Sequence, residues 1–209
     1  LFNVMSRIYD PTQGRIIFNG VDLLSLSPHE ISQTGIARTF QNLALWPRMT
    51  VAENVMAGAH IKGKQNFFSA MARIGLQTEE RDLRQKAYET MEMLNLLEHA
   101  EKPCDGLPFG TMKRIELARA LVSNPKLLLL DEPATGLTHS EVGELSEVII
   151  SIRKNFDLTI LLVEHHMGMV MSMSEKVVVL DFGEKIAEGT PTEIQNNPLV
   201  VSAYLGAPK

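Results

Sequence analysis

Short apolar runs alternate with segments of helical periodicity along this chain, and together the two patterns predict an α/β fold. The runs predict strands at residues 15–18, 36–40, 127–131, 158–163 and 177–180. The central runs are apolar throughout, which is typical of strands covered on both faces. Since the last three alternate with helical patterns, we expect them to be parallel and joined by right-handed crossovers. Phe182-Gly183 predicts a turn into a final hairpin through residues 185–187.

Helix starts are marked by Ser or Thr followed three residues later by Glu, the pattern of a capping box. It occurs at Ser27/Glu30, Thr50/Glu53, Thr138/Glu141 and Thr190/Glu193. Two longer helices are predicted to be amphipathic. After Thr138 the apolar face is Val142, Leu145, Val148, Ile149 and Ile152, and in residues 79–98 it is Leu83, Ala87, Met91, Leu94 and Leu97.

The middle of the chain carries mostly helical patterns and lies between two strand-bearing parts. We therefore predict a helical subdomain at residues 44–120, inserted into a partial α/β core formed by residues 1–43 and 121–209. The 209 residues have a formal net charge of −5, which argues against a nucleic-acid binder. Cys104 is the one cysteine, so an internal disulfide is excluded.

Two adjacent carboxylates, Asp131 and Glu132, end the run of four leucines. Ligands of open parallel sheets bind beyond the carboxyl ends of strands, where the first carboxylate can hold magnesium and the second can polarise a water. His165 follows the next predicted strand and would donate a hydrogen bond to a terminal phosphate at the same edge. Gln41 follows strand 36–40. For His165 a helix-capping or surface role is the alternative, and for Gln41 an ordinary strand end.

A loop at residues 107–111 opens an amphipathic helix shortly before the leucine run. The free amides and the dipole of a helix start suit an anion, although an ordinary helix N-terminus is the better explanation of this segment taken alone.

In this order the motifs resemble the nucleotide-binding subunits of ABC transporters along essentially the whole chain. The correspondence comprises a glutamine loop at 38–42, a signature loop at 107–111, a Walker B strand ending in Asp131-Glu132, a D-loop at 133–138 and a switch histidine at His165. Within that family, stretches 35–41, 49–54, 114–121 and 187–206 are most similar to the ATP-binding subunit of branched-chain amino-acid importers.

The resemblance implies a P-loop NTPase-like (RecA-like) core that hydrolyses ATP with magnesium. Asp131 and Gln41 would hold the metal, Glu132 would activate the attacking water and His165 would contact the γ-phosphate. Leu107, Gly110, Thr111, Gly136 and Leu137 would bind nucleotide across a head-to-tail dimer, whose second subunit we expect to be a paralogue.

The same resemblance implies membrane permease subunits as partners, a solute-binding protein as an indirect partner, and no nucleic acid. The expected location is peripheral, at the cytoplasmic face of the cytoplasmic membrane. The transported solute stays open, because related importers carry urea, amides or other amino acids. Two alternatives also stay open. One is a non-transport ABC ATPase acting on DNA or ribosomes, and the other is a catalytically silent fragment or a metal-binding protein.

The chain departs from the family pattern at several positions. Pro108, Phe109 and Thr111 replace residues of the common signature Leu-Ser-Gly-Gly-Gln, which leaves Gly110 as the strongest candidate there. His166 stands where an aspartate is usual. The glycine-rich lysine loop that cradles phosphates should lie just before a stretch like residues 1–5, so we expect the sequence to be a fragment that starts after it.

That expectation predicts weak or undetectable ATP binding by the 209 residues alone, because the amides and lysine of the phosphate loop supply much of the contact with the phosphates. Nucleotide titration by calorimetry measures this directly, and micromolar affinity would contradict the prediction.

Overall fold

The computed structural model describes residues 1–40, 43–59 and 76–205, with backbone alone for 76–80 and 205. Within these ranges the strands form three sheets. β1 (Ile17–Phe18) and β2 (Val21–Asp22) are antiparallel, and β3 (Ile36–Arg38), β4 (Leu127–Asp131) and β5 (Thr159–Val163) form a parallel sheet in that order. β6 (Val177–Asp181) and β7 (Glu184–Gly189) form an antiparallel hairpin.

All four predicted capping boxes are present at the starts of helices. Short 3₁₀ segments occur at Leu23–Ser25, Ser32–Thr34 and Leu97–His99, and a π-helical turn occurs at Val201–Leu205. The α-helices are α1 (Phe2–Met5), α2 (Pro28–Ile31), α3 (Val51–Ala57), α4 (Leu76–Met93), α5 (Phe109–Leu121), α6 (His139–Phe156), α7 (Met167–Met173), α8 (Pro191–Gln195) and α9 (Pro198–Val200).

The leucines of β4 lie in the middle of the parallel sheet and are covered on both faces. Leu128 and Leu130 belong to a large apolar cluster built with α3, α4, α5 and α6, whereas Leu127 and Leu129 pack with Phe2 and other N-terminal residues. This alternation follows from the two-residue period of a strand. The prediction of a strand buried on both faces is confirmed here, with the predicted bounds.

The prediction for β6 is wrong in one respect. Within the described residues β6 pairs with β7 and not with the parallel sheet. Val177 and Val179 pack on Ile194, while Val178 on the other face is 50% exposed. A wholly apolar run predicts burial on both faces, but only one face is covered here. The predicted turn is confirmed, because Phe182 and Gly183 both have positive φ, as a tight hairpin turn requires.

Between β3 and β4 the described residues are mainly helical, as expected. α4 ends at Met93, earlier than predicted, because Asn95 is left-handed (φ 54°) and the Leu96 amide turns back to the Met91 carbonyl. The predicted apolar face therefore ends at Leu94, and Leu97 is exposed. Since one apolar cluster joins these helices to the sheet, the boundaries at residues 44 and 120 stay a prediction.

None of the helices in the described part of the chain is both long enough and apolar enough to span a membrane.

Asn54, a fully buried residue of α3, forms hydrogen bonds with the loop that precedes this helix. Its Oδ1 accepts the Trp46 amide at 2.9 Å, and its Nδ2 donates to the carbonyls of Trp46 and Thr50 at 3.0 Å. Nδ2 also lies 3.2 Å from Cys104 Sγ, which connects the loop to the residues before α5. A buried side chain with this many partners fixes the path of the loop.

We expect Asn54→Ala to lower the free energy of unfolding by about 2 kcal/mol or more, because it leaves several buried backbone groups without partners. Asn54→Asp should cost at least as much, since it places an oxygen against carbonyls. Urea denaturation measures both. Asn155→Ala, at an exposed position of α6, is the control and should change stability by less than about 0.5 kcal/mol.

Candidate functional site

Parallel pairing places the polar residues that follow β4 and β5 at one edge of the sheet. Asp131 is opposite Val163, and the Glu132 amide still donates to the Val163 carbonyl at 2.9 Å. His165 Nδ1 lies 3.9 Å from Glu132 Oε2, and the His165 side chain is 71% exposed. The structure thus brings Asp131, Glu132 and His165 to the same edge.

Asp131 is paired with an arginine from the neighbouring strand. Arg38 Nη2 lies 2.6 Å from Asp131 Oδ2, and the Arg38 side chain is only 10% exposed. Its guanidinium lies over the rings of Phe2 and Phe40 and donates to Ser6 Oγ at 3.2 Å. A buried arginine of this kind fixes the orientation of the carboxylate, because a strong charge-assisted bond holds one of its oxygens.

Asp131 could contribute a carboxylate ligand to magnesium. No group of three or more His, Cys, Asp or Glu side chains close enough to hold a metal occurs in the described ranges. Asp131 offers its second oxygen, and magnesium in nucleotide sites takes one or two carboxylates together with waters and phosphate oxygens. Gln41, the other predicted metal ligand, lies outside the described residues.

Glu132 occupies a strained backbone position. Its φ of 46° is in the left-handed region, which a residue with a side chain adopts at a cost of about 1–3 kcal/mol. Two backbone hydrogen bonds hold the conformation. The Glu132 amide donates to the Val163 carbonyl, and the Thr135 amide donates to the Glu132 carbonyl at 3.2 Å. The Thr135 hydroxyl also donates to Glu132 Oε2 at 3.2 Å, so the carboxylate has a defined position.

Glu164 is a site residue whose role sequence reasoning missed. Its side chain is fully buried, and Oε2 accepts the amides of His165 and His166 at 2.8 and 3.0 Å. Oε1 accepts the Ala134 amide at 2.8 Å. Glu164 therefore fixes the backbone of His165 relative to the loop that follows Glu132. An acid directly after an apolar strand was the available signal, but its partner 30 residues away was not visible.

A second group of predicted residues lies around the start of α5. Pro108 is the N-cap and gives the helix no side-chain cap. The group lines a pocket of about 320 Å³ that contains Gly110, Thr111 and Leu137 together with Pro108, Arg114, Glu141, Glu144 and Leu145. Hydrogen bonds from Thr138 hold the pKa of Glu141 below its usual range. The pocket therefore contains an acidic residue as well as the basic Arg114. Leu107 precedes the pocket and is half-buried.

Gly136 connects the two groups through close packing. Its φ is +85°, and a Cβ added there would lie 2.9 Å from Phe109 Cε1. The Phe109 ring, which stands at a usual glycine position of the signature loop, thus packs against the turn that follows Asp131-Glu132. Lys113, itself buried, places its ammonium 5.6 Å from the centre of the same ring.

Two protein-family models match the sequence. One, described as "ABC transporter", covers residues 1–135. The chain belongs to the ABC transporter family. The second, described as "Branched-chain amino acid ATP-binding cassette transporter", covers residues 184–209. The predicted family and fold class are both confirmed.

Curated relatives in the ABC transporter family match almost the full chain. The high-affinity branched-chain amino acid transport ATP-binding protein BraF of Pseudomonas aeruginosa is 37% identical over 207 residues, covering 99% of this chain and 81% of BraF. The corresponding LivG of Escherichia coli is 38% identical with the same coverage. Among solved structures, an ATP-binding cassette of an ABC transporter in its ADP conformation has a TM-score of 0.82 at 28% identity, covering 99% of this chain and 82% of that one.

We expect Gly136→Ala to lower the free energy of unfolding by about 1–3 kcal/mol, because alanine is strained at positive φ and the Phe109 ring must move. Urea denaturation gives the value. Gly143→Ala is the matched control. It lies on an exposed face of α6 with open space around it, so it should be neutral or stabilise by up to about 1 kcal/mol. Equal losses for both variants would argue against the Gly136 contact.

Proposed function

We propose that this chain is the ATP-hydrolysing subunit of an importer for branched-chain amino acids and works at the cytoplasmic face of the membrane. The observation that carries the proposal is the match of residues 184–209 to the branched-chain amino acid model, beyond the general transporter match. The names of BraF and LivG, which match 99% of this chain, support the same solute class.

Asp131 and Glu132 have separate tasks in this proposal. Asp131, oriented by Arg38 at 2.6 Å, would hold magnesium through its second oxygen. A magnesium ion there would supply charge neutralisation for the phosphates of ATP. Glu132, fixed by Thr135, accepts a proton from the attacking water as general base. Its position next to Asp131 supports this role, because it places the base beside the residue that would hold the metal.

His165 would donate a hydrogen bond to the terminal phosphate. Its exposure keeps the ring available to a ligand, while Glu164 holds its backbone. The 3.9 Å separation from Glu132 lets the two side chains meet one phosphate together with its water. Gln41 would complete the metal site and transmit its occupancy to the permease.

The pocket at α5 would bind the nucleotide of a second ATPase subunit in a head-to-tail dimer. Leu107, Gly110 and Thr111 supply backbone at a helix start without a side-chain cap, which suits an anion. Gly136 and Leu137 would line the same interface. Pro108 has no hydroxyl or amide to donate, so the contact would be made by the helix amides that follow.

The subunit would drive a pair of membrane permease subunits, supplied with solute by a binding protein. Closure of the dimer on ATP and reopening after hydrolysis would switch the permease between its two access states. The nucleotide titration described above tests separately what the 209 residues do alone.

The test uses the transporter that contains this chain, with its permease and partner ATPase, in membrane vesicles. We expect ATP-dependent uptake of labelled leucine, and Glu132→Gln should lower hydrolysis and uptake by about 100-fold or more through loss of the general base. Glu147→Gln, an exposed carboxamide substitution on α6, should leave both rates unchanged.

Hydrolysis at the full rate in Glu132→Gln would remove Glu132 from the mechanism. Hydrolysis without leucine, isoleucine or valine uptake would contradict the solute class. Copurification with nucleic acid instead of a permease would favour the non-transport alternative.

A further inference from the structure

A carboxylate on the buried side of α5 has no role in the site described so far. Glu116 is 3% exposed and lies among the buried apolar residues Ile115, Leu117 and Ala118 of the same helix. Burial raises the pKa of its carboxyl, and Lys113 and Arg119 nearby act in the opposite direction. Burying an acid is costly unless it is hydrogen-bonded, so Glu116 requires a partner.

That partner is the backbone just before Gln41. Glu116 Oε1 accepts the Phe40 amide at 3.0 Å. The preceding amide, of Thr39, still donates to the Leu129 carbonyl at 2.9 Å and so continues the pairing of β3 with β4. The Thr39 amide therefore bonds to the sheet, and the next amide, of Phe40, bonds to α5. Glu116 accepts a hydrogen bond from the first amide after β3 that does not bond to the sheet.

The same helix also holds the chain on the far side of Gln41. Arg119, about one turn after Glu116, donates to the Ala44 carbonyl. Its guanidinium lies 5.4 Å from the centre of the Trp46 ring. Both flanks of Gln41 are thus attached to α5, the helix whose first residues line the pocket with Gly110 and Thr111.

We propose that Glu116 is a positioning residue. It makes the segment leading into Gln41 move with α5, the helix that starts in the signature loop. The inference rests on the proposed function, in which Gln41 and the α5 pocket serve nucleotides at different places. A shift of α5 on dimer closure would then be transmitted through the Phe40 amide to the segment beside Asp131. Two packed elements that share a hydrogen bond can carry such coupling.

The experiment compares Glu116→Gln with Glu116→Met in the assembled transporter. Both variants remove the charge and nearly preserve the volume, but only Gln retains an acceptor for the Phe40 amide. In the methionine variant, hydrogen exchange of the peptide containing Phe40 should be about tenfold faster, and solute moved per ATP hydrolysed should fall several-fold. The glutamine variant should stay within about twofold of wild type in both.

Unchanged exchange in the methionine variant would overturn the attachment. Faster exchange with unchanged solute per ATP would overturn the positioning role, and equal losses in both variants would show that the acceptor is not what matters. If the methionine variant does not assemble, Glu116→Asp replaces it, since it withdraws the carboxylate by one methylene. Exchange is measured without hydrolysis, so failure of the Glu132→Gln test would refute the proposed function while leaving the attachment separately measurable.

Discussion

The parallel pairing of β4 with β5 determines where the polar groups of the site lie. Leu128, Leu129 and Leu130 are fully buried between two apolar clusters, so β4 cannot slip by one residue without exchanging the side chains of its two faces. With that register fixed, Asp131 is opposite Val163, and the residues after each strand emerge side by side. The acids reach one edge because the leucines before them are held in place.

Buried charged residues mark the points at which the chain leaves regular structure around this edge. At the end of β3, Arg38 binds Asp131, and Glu116 accepts from the Phe40 amide, the first one beyond the sheet. After β5, Glu164 accepts from the amides of His165 and His166 and from the Ala134 amide, which follows β4. Each charge is costly to bury unless it is paired. Their bonds go to backbone groups, to a site carboxylate and, for Arg38, also to the Ser6 hydroxyl. These bonds offset part of the cost of burial, and they fix the groups of the site in position.

Local features were predictable from the sequence, because their causes are local. The bounds of β4 follow from four leucines, and the four capping boxes follow from two residues three apart. β6 was assigned to the wrong sheet, since an apolar run does not say which strand it pairs with. The partners of Arg38 and Glu116 were also missed, being 93 and 76 residues away. Their one sequence signal was a charge within an apolar strand or helix face.

The strain at Glu132 follows from the same geometry. Its amide donates to the Val163 carbonyl, whereas its side chain turns away from the sheet toward His165. A single residue in the left-handed conformation allows both. Gly136 repeats that conformation four residues later, where the Phe109 ring leaves no space for a Cβ. The short segment between the two is therefore fixed at both ends, by the sheet edge and by the first residue of α5. This turn joins the edge of the sheet to the start of α5, and it has little freedom to move independently of either.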